Sequence, residues 1–75
     1  MPRLPALSSK DMIKIFEKAG YFIVRQKGSH IRMHHKTRDS ITIPKHTTIG
    51  RGLLKKILRD SQISVDDLIK LMKKN

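Results

Sequence analysis

Apolar stripes recur along this chain between polar and basic positions, and the period of the stripe changes twice. Met12, Ile13, Ile15, Phe16 and Ala19 fall on one side of a helical wheel, with Lys14, Glu17 and Lys18 on the other. Ser8 and Ser9 offer N-caps, Asp11 lies in the first turn where a carboxylate suits the helix dipole, and Gly20 supplies the stop. From Tyr21 the period drops to two. Tyr21 to Lys27, His30 to Lys36 and Ser40 to Pro44 predict a meander of strands, with Pro44 at a strand end where its missing N–H does little harm. Lys45 to Gly50 reads as a loop, and Gly50-Arg51-Gly52 leads into a second helix. Leu53, Leu54, Ile57 and Leu58 form its buried stripe, Lys55, Lys56 and Arg59 its outer side, and Ser61-Gln62 breaks it. Ser64 followed by Asp67 resembles a capping box for a last short helix. That helix turns Val65, Leu68, Ile69 and Met72 inward, and its Asp66 and Asp67 at one end and Lys70, Lys73 and Lys74 at the other match the dipole. Met1 to Leu7, with two prolines, reads as an irregular lead-in to a single domain over residues 1–75.

Strand register follows from the turns. Gly28-Ser29 suits a two-residue hairpin, because glycine accepts the positive φ that such a turn requires. Lys27 then faces His30, and the pairing continues Arg25 with Arg32 and Ile23 with His34. Phe22, Val24, Ile31, Met33 and His35 point to the other side of the sheet. A second connection around Thr37-Arg38-Asp39 sets Met33 opposite Ile43 and His35 opposite Ile41, which keeps both isoleucines on the apolar face. Helices with single apolar stripes must cover that face. The expected fold is therefore α+β, a two-layer sandwich in which helices cover one side of a three-stranded antiparallel sheet, in the order α-β-β-β-α-α. Double-stranded-RNA-binding domains share an α-βββ-α order. The opposite side of the sheet carries Arg25, Lys27, His30, Arg32 and His34, with Tyr21 and Ile23 as its large apolar members.

Charge narrows the partners. Seventeen Lys and Arg against six Asp and Glu give a net charge of +11, which points to a polyanion, nucleic acid above all, or to an acidic protein partner. With 37% hydrophobic and 31% charged residues the chain reads as a folded soluble domain, and without cysteine it has neither disulfide nor thiolate metal site. No apolar run approaches the roughly 20 residues of a membrane helix, and no signal-peptide pattern opens the chain, so a cytoplasmic protein without membrane association is expected.

The ordered motifs resemble the HicA family of bacterial and archaeal toxins. The resemblance lies in Gly20-Tyr21-Phe22, Arg25-Gln26-Lys27-Gly28-Ser29-His30, Ile43-Pro44-Lys45-His46 and Gly52-Leu53-Leu54-Lys55-Lys56-Ile57-Leu58. It covers the chain from the first helix through the second. It implies a fold like that of double-stranded-RNA-binding domains, endoribonuclease activity on mRNA, neutralisation by a cognate HicB-like antitoxin, and a catalytic role for His30. Tyr21 stands between a Gly and a Phe that are often adjacent in the family, so the start of the first strand is expected to shift.

The chemistry at the turn agrees with that implication. RNA cleavage needs one group to take the 2′-hydroxyl proton and another to protonate the leaving oxygen or stabilise the phosphorane, and histidine suits either role. Arg25, Lys27 and Arg32 are candidates to hold the scissile phosphate, and the backbone of Gly28 and Ser29 to add N–H donors. Ser29 is a poor nucleophile, since no acid completes a triad and adjacent strand residues diverge. His34 and His35 diverge for the same reason, while His30 and His34 share a face about 13 Å apart at roughly 3.3 Å per residue. No metal site and no cofactor are expected. His46 approaches the site from its loop or is a plain loop histidine. Two other readings remain: a non-catalytic RNA-binding module in which His30 only contacts phosphate, and, less well supported, a helix-turn-helix repressor, for which three intervening strands are unsuited.

Overall fold

Ser8 starts the first helix, α1 (Ser9–Lys18), through a reciprocal capping box. Its hydroxyl accepts the Asp11 N–H at 3.1 Å, and the Asp11 carboxylate accepts the Ser8 N–H at 3.4 Å. The computed structural model describes residues 6–46 and 48–73. Residues 1–5 of the expected lead-in, Thr47 in the loop and Lys74 in the last helix lie outside that range. Leu7, by contrast, is buried and pairs with Ile49 in an isolated antiparallel bridge, so the end of the lead-in is part of the fold.

The remaining elements follow the expected order: β1 (Phe22–Lys27), β2 (His30–His34), β3 (Ile41–Pro44), α2 (Arg51–Ser61) and α3 (Val65–Lys73). The sheet is antiparallel in the order β1-β2-β3. Ile31 and Met33 from β2 and Ile41 and Ile43 from β3 point into the core. There they meet Met12, Ile15 and Phe16 of α1, Leu54, Ile57 and Leu58 of α2, and Leu68 of α3. Both α1 and α2 pack on β3, and α1 also packs on α3. The α+β sandwich is as the periodicity implied. On α3, Leu71 packs against the core where Met72 was expected, and Met72 is 37% exposed.

His35 accounts for the shape of the second hairpin. Its Nδ1 accepts the backbone N–H groups of Thr37 and Arg38 at 3.1 and 3.3 Å, which leaves Nε2 to donate to the Ala19 carbonyl at 3.0 Å. The chain therefore leaves β2 at His34, earlier than expected. Ile41 pairs with Met33 and Ile43 with Ile31, two residues from the expected register. A two-residue shift preserves parity, so both isoleucines stay inside. Gly20 ends α1 at φ +104°, and a Cβ there would lie 2.8 Å from His35 Nε2. Arg38, next in the turn, donates to the carbonyls of Ser61 and Gln62 at 3.0 and 2.9 Å and so caps the end of α2.

Strand β1 departs furthest from the alternation. A bulge between Ile23 and Arg25 leaves Val24 without a partner, so Ile23 pairs with Met33 and Phe22 with His34. Phe22 thus stands on the open side with His34 rather than on the helix side. Tyr21, expected on the open side, is buried. Its ring packs edge-on against Phe16 at 5.5 Å and lies 4.9 Å from His35, and its hydroxyl donates to the Asp39 carbonyl at 2.8 Å. Burial raises the Tyr21 phenol above its ordinary pKa, Asp39 adding to that and Arg38 opposing it. Every residue of β1 is exposed, because the strand is a sheet edge beyond the helices.

Candidate nucleic-acid interface

Glycine makes the turn that carries the site. Gly28 has φ +57°, and Ser29 is not among the residues of positive φ, the pattern of a hairpin turn with glycine in its first central position. The ladder closes directly on it, with Lys27 opposite His30 and Arg25 opposite Arg32. Directly opposed residues share a face, and on β2 His30, Arg32 and His34 alternate with the buried Ile31 and Met33. The open side therefore gathers Arg25, Lys27, His30, Arg32 and His34, as the turn implied. His30 and Arg32 are roughly 7 Å apart at the rise of a strand.

These groups are exposed and lightly held. Arg32 donates to the Thr42 hydroxyl at 2.8 Å, which turns its guanidinium across the sheet toward β3. Among the described residues, Arg25, Lys27 and Arg32 have no carboxylate within ion-pairing distance, and β1, β2 and β3 contain no acidic residue. The His30 ring and the Ser29 hydroxyl have no hydrogen-bond partner among the described residues, so no triad is formed. The Gly28 and Ser29 N–H groups likewise donate to no other backbone group there. Of the basic residues on the outer side of α2, Lys56 approaches this region. It lines a hollow of about 180 Å³ with Arg32, Thr42 and Asp60.

A loop closes on the turn from the far side. The Lys45 N–H donates to the Ser29 carbonyl at 2.6 Å, and Pro44 pairs with His30. One residue on, the His46 carbonyl accepts the Ser9 N–H at 3.0 Å, and the Leu7–Ile49 bridge holds the loop again. The Pro44-Lys45-His46 segment is thus tied between the His30 turn and the start of α1. The backbone bond of Lys45 to the turn is a contact that the strand pattern does not supply, although the Ile-Pro-Lys-His motif containing it is a signal for it. Phe22 is missed for a different reason, since the bulge that turns it outward has no signal in the alternation. His35, by contrast, points into the fold and is absent from this face.

A family model described as HicA toxin of bacterial toxin-antitoxin matches residues 9–63. Neither the curated proteins nor the solved structures contain a match to the chain. The matched span runs from α1 through α2 and takes in the whole sheet, the His30 turn and the loop tied to it. The chain belongs to the HicA family, the toxin half of a toxin–antitoxin pair, and a cognate antitoxin is its partner.

Proposed function

We propose that this toxin is an endoribonuclease that cleaves mRNA in the cytoplasm and so inhibits translation, with His30 as general acid or base. The observation that carries the reading is the Gly28-Ser29 turn, which sets His30 among Arg25, Lys27 and Arg32 on a sheet face without carboxylates. The cations attract the RNA backbone, and the unengaged N–H groups of the turn suit a phosphate oxygen. In the cleavage step the 2′-oxygen bonds to phosphorus and the bond to the 5′-oxygen breaks. One proton leaves the 2′-hydroxyl and one arrives on the departing oxygen. His30 carries out one of these transfers. For the other, His46 is a titratable side chain in the loop tied to the turn, two residues beyond the Pro44 that faces His30. A face of cations holds the phosphate without a bridging metal ion, so activity in EDTA is part of the proposal.

The test is incubation of the purified protein with a long single-stranded RNA in EDTA, beside His30→Ala. Cleavage should be lost in the variant while salt-dependent RNA binding persists. Equal cleavage by both proteins would remove His30 from the mechanism. Tight binding without cleavage by either would make the chain an RNA-binding module.

A further inference from the structure

Phe22 is an aromatic side chain that the core does not use. The aromatic place at the start of β1 is filled by Tyr21, buried against Phe16 and His35. The bulge at Val24 sets Phe22 opposite His34, on the same side as His30 and Arg32, and Phe22 is 49% exposed. Its ring lies 6.5 Å from that of His34 at 63°, an edge-to-face arrangement, and about half of the residue stays open to solvent. We infer that Phe22, flanked by His34, is a stacking platform for one base of a single-stranded RNA whose backbone runs along the cations toward His30. This deepens the endoribonuclease reading and rests on it.

Three features favour this occupant. Stacking requires an unpaired base, and an exposed aromatic on a flat, basic sheet face is how single strands are held without sequence reading. The cation row between Phe22 and His30 has no acidic partner among the described residues, so its charge is complementary to a backbone. Along β2, His34 and His30 are about 13 Å apart, at the rise of a strand, which places the platform a few nucleotides from the cleaved bond. Ile23 and Val24 are exposed beside Phe22, at 46% and 44%, but neither belongs to the cation row of the open face.

The experiment uses fluorescently labelled oligonucleotides and the full chain carrying His30→Ala, so that RNA stays intact. Adding Phe22→Ala should weaken single-strand binding about tenfold, the loss of one stacked base, and Phe22→Trp in its place should restore it. In an oligonucleotide series with one abasic position moved along the strand, a single position should prove sensitive when Phe22 is present. The Phe22→Ala variant should show no such position. Binding of a blunt RNA duplex should be unaffected by the change. Equal single-strand affinity with and without the phenyl ring, or an unchanged abasic profile, overturns the platform and leaves the apolar edge to a protein partner. In that event cleavage by the chain with His30 intact shows that the ribonuclease reading survives, whereas absence of both binding and cleavage removes both.

Discussion

Tyr21 is the only tyrosine of the chain, and its hydroxyl joins the end of α1 to the Asp39 turn. Read by alternation it belongs on the open side, because counting back from the hairpin carries the alternation through the whole apolar run. Its burial reflects two things the pattern does not contain: β1 begins one residue later, and Phe16 and His35 provide an aromatic seat. Tyr21→Phe keeps that seat and loses only the bond to Asp39, so it should cost about 1 kcal/mol in urea unfolding. The phenol also gives stability a pH dependence of definite sign. Its folded pKa is raised, mainly by burial, so its contribution is whole below the unfolded value near 10. It is lost as pH rises from there through the folded value. Phenolate absorbance should therefore titrate later in the folded protein than in urea, and Tyr21→Phe should lose less stability across that alkaline range. Coincident phenolate titrations in both states would contradict the burial.

At the scale of elements, what was legible was local. The capping serines, the stop at Gly20, the apolar stripes of α1 and α2 and the Gly28-Ser29 turn each follow from a few neighbouring residues, and each is found where the sequence puts it. Contacts across the fold were not legible. The bonds of His35 to Ala19, Thr37 and Arg38 move the second hairpin by two residues, and the bulge at Val24 breaks the alternation of β1. The candidate site was legible near its turn for the same reason. A two-residue loop leaves no freedom in the pairing of Lys27 with His30 or Arg25 with Arg32, whereas Phe22 lies beyond the bulge. Val24 is the one β1 residue between two paired neighbours that has no partner, so deleting it should close the ladder without moving any other pair. The variant should fold, keep its strand signal in circular dichroism and cleave RNA if the wild type does. Its straightened edge should self-associate more readily once salt screens the charge, because bulges protect sheet edges from pairing. Loss of the fold on deletion would mean that Val24 does more than fill the bulge.

For the molecule as a whole, the proposed function raises the question whether RNA would meet the open face alone or the entire basic surface. The net charge of +11 would favour either. Counterion release distinguishes them, because the slope of log affinity against log salt is about −0.7 for each phosphate neutralised on a single strand. Engagement of Arg25, Lys27 and Arg32 with Lys45 from the tied loop corresponds to about four phosphates and a slope of about −3. Unselective coating by the full net charge would bring it toward about −8. With His30→Ala to prevent cleavage, the shallower slope is expected, since Arg25, Lys27 and Arg32 share the face of one turn and the Lys45 backbone is tied to it, while Lys55 and Arg59 are carried on the exposed side of α2. Replacing Arg25 or Lys27 by Ala should make the slope shallower by about 0.7 each. The same change at Lys55 or Arg59 should leave it alone. A wild-type slope near the steeper value, insensitive to Arg25 and Lys27, would detach RNA binding from the sheet face. The expected result would also define what the antitoxin has to cover, because an acidic surface over those few cations would hide His30 and remove the attraction for RNA together.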